Sequence, residues 1–219
     1  YKDIPAIYKI NADKSETKII TRSIAYDDYY SYNSGKLIFS AFQADARWGN
    51  KEYSVIKIAE VSEGKEHSIT SHTRYFTPDI SHDGNAVAAV YINGTQHCDV
   101  DILNINGEKI KSLIANSSII YTYPKFSDDD KNIFIIARNK AGEMSLQQIN
   151  IADALVKILL PFANRIIGYP VVQNDTVLYS CSGNGRDEIW AYIVSQNKNY
   201  RIADFATGLY QATLSGNQI

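Results

Sequence analysis

Tyr75-Phe76-Thr77-Pro78-Asp79-Ile80-Ser81-His82-Asp83-Gly84 decides the fold, because it recurs. A second copy is Tyr121-Thr122-Tyr123-Pro124-Lys125-Phe126-Ser127-Asp128-Asp129-Asp130, and a third is Gly168-Tyr169-Pro170-Val171-Val172-Gln173-Asn174-Asp175. Pro78, Pro124 and Pro170 are 46 residues apart, twice. Each follows an aromatic residue within two positions and precedes a short apolar stretch and a polar turn. Weaker copies flank these three. Residues 29–36 align upstream, with Gly35 standing 49 residues before Gly84. Residues 209–216 align downstream, about 41 residues after the third copy. A fixed period in the range of roughly 20–50 residues marks a repeat architecture.

Within a repeat the local pattern is β. Residues 86–92 form an apolar, β-branched run, 100–105 alternate, and 110–114 close the unit. Equivalent triplets occur at 36–42, 53–58 and 67–70, at 132–137, 145–151 and 156–160, and at 176–181, 188–194 and 200–203. Alternation bounded by turns is the signal of strands and hairpins. Asp83-Gly84 and Asn106-Gly107 supply the positive-φ residues that tight hairpins need. No segment sustains a helical period; residues 152–155 allow a single turn. Four antiparallel strands in about 45 residues make one blade of a β-propeller. Radial stacking buries both faces of a blade, which explains strands that are densely apolar.

The motif aromatic-x-Pro-x-Ile/Phe-Ser-x-Asp-Gly followed by an apolar strand resembles the repeat of TolB-type propellers. It is also similar to the non-catalytic propellers of prolyl-oligopeptidase-like enzymes. The copies at 78–84 and 124–130 match best, with Asp130 in place of the glycine, and the others are degraded. The Gly-His and Trp-Asp marks of WD repeats are absent. The expected fold class is therefore all-β: a single propeller domain over 1–219 with blades at about 24–70, 71–116, 117–164 and 165–206 and partial blades at 1–23 and 207–219. The chain enters a strand-like segment at 4–10 and stops after the turn-like Ser215-Gly216-Asn217, so it reads as a piece of a longer polypeptide. Six blades are usual in TolB-like propellers, and a fragment of one is favoured over a closed five-bladed ring. The resemblance implies a periplasmic or cell-envelope setting.

Composition narrows the function. The 219 residues (24.5 kDa) are 45% hydrophobic and 21% charged, enough to bury a core and unlike a disordered tail. A net charge of −2 and a pI near 6.1 give no basic field, so no nucleic-acid partner is expected. No apolar run approaches the roughly 18 residues of a membrane span. Two cysteines exclude a disulfide scaffold and a multi-cysteine zinc site.

Catalytic signals are missing. There is no Gly-x-Ser-x-Gly elbow; Ser182 follows a strand, but no helix pattern follows it. His67 and His72 are five apart, off the spacing of a zinc-protease helix. Cys98 and Cys181 fall two blades apart, too far for a bridge. The carboxylates at 27–28, 99, 101 and 128–130 lack a calcium-loop pattern, and those at 128–130 are expected to cap their own hairpin. No phosphate loop or dinucleotide fingerprint occurs, so no cofactor is expected.

The inter-blade loops and the loops joining second to third strands emerge at one end of a propeller. Here that end collects tyrosine, arginine and tryptophan, types enriched in binding hot spots. The candidate ligand-binding residues are Arg47, Trp48, Arg74, Tyr75 and Arg186. Arg47-Trp48 falls in the longest such loop and has no counterpart in the other repeats. The repeated tyrosines have two readings, packing between blades and contact with a partner. The leading function is a non-enzymatic binding or scaffold module for a protein or peptide partner. The alternative is an accessory propeller of a larger peptidase that gates or orients substrate. An independent enzyme with its site in the channel ranks last. An open propeller also leaves edges and faces unsatisfied, so the chain is expected to be only moderately stable on its own or to self-associate.

Overall fold

Each four-strand group forms its own meander. The computed structural model describes residues 5–25, 28–95, 97–182, 185–203 and 205–213, and every regular element among them is a strand. The first blade is β3 (Ser31–Asn33), β4 (Lys36–Ala44), β5 (Glu52–Glu60) and β6 (Lys65–Ser68). The second is β7 (Tyr75–Ile80), β8 (Ala86–Ile92), β9 (Cys98–Asn104) and β10 (Lys109–Ser117). The third is β11 (Ile120–Phe126), β12 (Asn132–Arg138), β13 (Met144–Asn150) and β14 (Val156–Ala163). The fourth is β15 (Ile166–Gln173), β16 (Thr176–Ser182), β17 (Asp187–Ile193) and β18 (Lys198–Ala203). Ahead of them, β1 (Ala6–Ile10) and β2 (Glu16–Thr21) form a two-stranded sheet.

The core is a series of layers between blades. Because side chains alternate along a strand, β12 sends Ile133 and Ile135 to the second blade, against Val90 and Val100. The same strand sends Phe134 and Ile136 to the fourth blade, against Val177 and Tyr179. Ile38 and Ile56 meet Val87 and Leu103 between the first and second blades. Ile20 packs the small sheet onto Phe39 and Val55 of the first blade. Leu209 and Ala212 lie against the outer face of the fourth blade, on Leu178 and Ile189.

The Ser-x-Asp part of the motif is a hairpin cap. Ser81 Oγ donates to Asp83 (2.6 Å) and accepts from the Ala86 amide (2.9 Å), and Asp83 accepts from the Asn85 amide (2.9 Å). Ser127 and Asp129 repeat the arrangement, and Asp130 takes the left-handed φ of 54° where Gly84 has 73°. The X-Pro step has its own role. Thr77, Tyr123 and Tyr169 have φ of 45°, 54° and 47°, and each sits at a break in the register of an innermost strand. Left-handed backbone at a bulky residue before proline is costly, so its repetition marks a bulge built into every well-matched blade.

Two expectations change. The described part of the expected partial blade at 207–219, residues 207–213, has no strand pairing, and residues 214–219, with the turn at Ser215-Gly216-Asn217, lie outside the described residues. Of the run at 128–130, only Asp129 caps its own hairpin. Asp128 and Asp130 reach neighbouring blades instead.

Candidate functional site

Antiparallel meanders place first-to-second and third-to-fourth strand hairpins at one end. Second-to-third strand loops and inter-blade links lie at the other. The two ends are held differently. At the hairpin end, Ser34 Oγ donates to the His82 carbonyl (2.7 Å), and the His82 and Asp83 amides donate to Asp130 (2.9 and 3.1 Å). The Asn174 amide donates to Asp128 (2.7 Å). Deeper in the inner strands, Lys125 Nζ and the Phe126 amide donate to Asp79 (2.7 and 2.9 Å). Burial alone would lower the Lys125 pKa, but the facing Asp79 carboxylate outweighs it and holds it above the usual lysine range. These ties join residues 46 to 48 apart, so repeat-equivalent positions of adjacent blades bond directly.

The loop end carries the candidate residues. Asp45 organises the loop between β4 and β5. Its Oδ1 accepts from the Arg47 and Trp48 amides (2.8 and 3.2 Å), and its Oδ2 accepts from the Tyr53 hydroxyl (2.9 Å). The Arg47 amide, then the Tyr53 hydroxyl, hold the Asp45 carboxyl below its usual range. Tyr53 is itself placed by His72, ring edge to face at 4.9 Å, and the His72 amide donates to Gln43 (2.8 Å). Trp48 emerges from this braced turn 66% exposed, and Arg47 is exposed beside it. Trp48 is thus not packed between blades.

The other candidates separate. Arg74 is exposed at the start of the second blade, where its backbone bridges to Ser54 of β5, so it shares the end of the blade from which Arg47 and Trp48 project. Arg186 is exposed just ahead of β17 at the same end, but in the fourth blade, with two blades stacked between. Tyr75 is buried at 7% exposure, and its hydroxyl donates to the fully buried Asp101 (2.9 Å). Burial, and then the Asp101 charge, push its pKa up. Its side chain serves the interior of the second blade.

The repeated tyrosines of the inner strands form a ladder. Tyr29 to Tyr123, Tyr123 to Tyr169 and Tyr169 to Tyr210 have ring centroids 5.3, 5.1 and 4.8 Å apart. They flank a central cavity of about 700 Å³ walled by Tyr30, Asp79, Lys125, Val171 and Gln211, one from each inner segment. Sequence reasoning had left this ladder between packing and contact; in the structure it packs ring on ring.

Ser23 Oγ lies 2.7 Å from Lys57 Nζ, and Lys57 is paired with Glu66 at 2.7 Å while Ser23 also bonds Glu66, so the three side chains form a structural tie. Cys98 and Cys181 are unbridged, and burial raises both thiol pKa values. Among the described residues no cluster of three metal-ligating side chains occurs. The bracing residues Asp45, Tyr53 and His72 were missed in the sequence; an Asp two residues before Arg47 was the available sign of a side-chain-capped turn.

No protein-family model matches the chain, and no curated protein matches its sequence. Solved structures do match. The putative TolB from Agrobacterium tumefaciens superposes with a TM-score of 0.71 at 13% identity, over 90% of this chain and 73% of that one. TolB from Acinetobacter baumannii gives 0.63 at 14% identity, over 80% and 43%. The chain has a TolB-like propeller fold. The propeller domain of the Trilobed protease from Pyrococcus furiosus matches this TolB-like chain at 0.59 with 12% identity, over 83% and 57%. The chain spans less than half of the Acinetobacter TolB and 32% of a Pyrococcus horikoshii acylaminoacyl peptidase.

Proposed function

We propose that this propeller is a non-enzymatic binding module that takes a protein or peptide partner on its loop end. Arg47, Trp48 and Arg74 make the contact, and Arg186 serves at the far side of the same end. The observation that carries the reading is Trp48, 66% exposed on a turn that Asp45 fixes from two backbone amides and a tyrosine hydroxyl. A large apolar side chain held outward on an ordered loop has no role in the core, and it loses little entropy when a partner covers it. Tyr75 leaves the contact set because it is buried. A periplasmic setting fits the likeness to TolB structures.

A photo-reactive amino acid at position 48, in cells that make the full-length protein, tests this. A discrete protein adduct, abolished by Arg47→Glu, is expected. No adduct at position 48, with an adduct from a probe at the hairpin end, would overturn it.

A second reading is an accessory propeller of a peptidase, favoured by the match to the protease propeller from Pyrococcus furiosus. A peptidase domain in the same reading frame would support it.

A further inference from the structure

We infer that the loop end is a docking face for an acidic protein segment, an inference that rests on the binding reading above and names its partner's chemistry. The chain has seven arginines. Five of them, Arg47, Arg74, Arg138, Arg165 and Arg186, fall in the β4–β5 loop, ahead of β7, at the end of β12, between β14 and β15, and ahead of β17. By the meander topology all five lie at the loop end, and together they represent all four blades. Arg47, Arg74, Arg138 and Arg186 are exposed, and Arg165 is half-buried with Nη2 donating to the Pro161 carbonyl (2.6 Å). The hairpin turns mix carboxylates such as Asp83, Asp128 and Asp175 with lysines such as Lys36, Lys109 and Lys131, and they hold no arginine. The net charge is only −2, so the feature is the placement of arginine rather than an excess of charge.

Exposed arginines gathered at one end favour a partner that brings carboxylates to meet them. Arginine, rather than lysine, supplies planar forks that match carboxylates in pairs. Spread over four blades, the forks fit an extended segment with several carboxylates better than one compact anion. Glu52, Glu143 and Asp187 are interleaved at the same end. Those carboxylates would repel a uniformly anionic membrane, whereas a polypeptide can place its own charges between them. Trp48 adds one apolar anchor, so the fitting segment is acidic with an apolar residue within it.

The test is an NMR titration of the labelled chain with an acetylated Asp/Glu decapeptide carrying one central leucine. A decalysine peptide and phosphatidylglycerol vesicles are titrated in parallel. The expected result is amide shifts confined to residues 45–51, 74, 138–143 and 185–187, with no response to decalysine or vesicles. Affinity should fall about tenfold or more as salt rises from low to above-physiological strength. Arg74→Glu with Arg138→Glu, both exposed positions, should weaken binding at least about tenfold with the fold intact by circular dichroism. No binding of the acidic peptide, shifts at the hairpin end, or equal binding of the vesicles would overturn the inference. A position-48 adduct whose yield ignores both salt and the double variant would overturn it while leaving the binding module standing.

Discussion

The two ends of the propeller solve different problems. At the hairpin end, carboxylates of one blade accept backbone amides of the next, as Asp130 does from His82 and Asp83 and Asp128 does from Asn174. At the loop end the second and third blades meet through the Tyr121 amide on Cys98 Sγ (3.4 Å), and the third and fourth through the Ile167 amide on Met144 Sδ (3.4 Å). Sulfur is a weak acceptor, and a carboxylate is a strong one. The loop carboxylate Asp45 spends its bonds within its own blade, on Arg47, Trp48 and Tyr53. At the loop end the first and second blades are tied through Ser54, whose Oγ donates to the Tyr75 carbonyl (2.5 Å), the two later seams are tied through sulfur, and arginine and tryptophan face out. Repeat proteins distribute stability over neighbour interfaces, so the carboxylate ties at the hairpin end add to the apolar layers that hold the stack.

Substitutions should expose that division. The largest loss is expected at Asp79, whose removal strands Lys125 and the Phe126 amide in the inner wall. Asp79→Ala should cost about 3–5 kcal/mol of unfolding free energy, read by denaturant titration. A cost no larger than that of a surface change would break the account of the inner strands. Asp130→Ala comes next. It removes the acceptor of two neighbouring-blade amides and should cost about 1–2 kcal/mol by the same titration, with no change in partner binding.

Acidification gives a smaller, local effect. The Asp45 carboxyl titrates below its ordinary value in the folded loop, so the stability it contributes is complete above that ordinary value and is lost as pH falls through the depressed one. Fluorescence of Trp48 should therefore hold steady through mildly acidic pH and change only below the usual carboxylate range. Asp45→Ala should abolish that transition, and Trp190→Phe removes the second tryptophan from the signal.

Much of the frame was readable from period alone. The strand expected at 86–92 is β8 as found, and the hairpins at Gly84 and Gly107 turn with positive φ. The period also carries more than was drawn from it, because residues 46 apart prove to be bonded partners. Nothing in one sequence distinguishes an aspartate that caps its own hairpin, like Asp129, from one that reaches across a seam, like Asp130. That difference depends on the spacing of blades in three dimensions. Tyr75 was misjudged for a related reason. It begins β7 among other aromatics of the loop end, but its partner Asp101 lies 26 residues on, in β9, and draws the ring inward. The exposure of Trp48 was legible because its loop exceeds what a hairpin needs, and the brace that fixes it was not, because Asp45, Tyr53 and His72 meet only once the strands pair.

The binding role of the loop end is tested most directly by Trp48→Ala, measured for unfolding free energy and for affinity toward the partner that the position-48 photo-adduct identifies. The account predicts a stability change within about 0.5 kcal/mol, as for a surface site, and a loss of binding of about 2 kcal/mol or more. A stability loss in the range of about 3–5 kcal/mol with partner affinity unchanged would mean that Trp48 belongs to the core, and would contradict it.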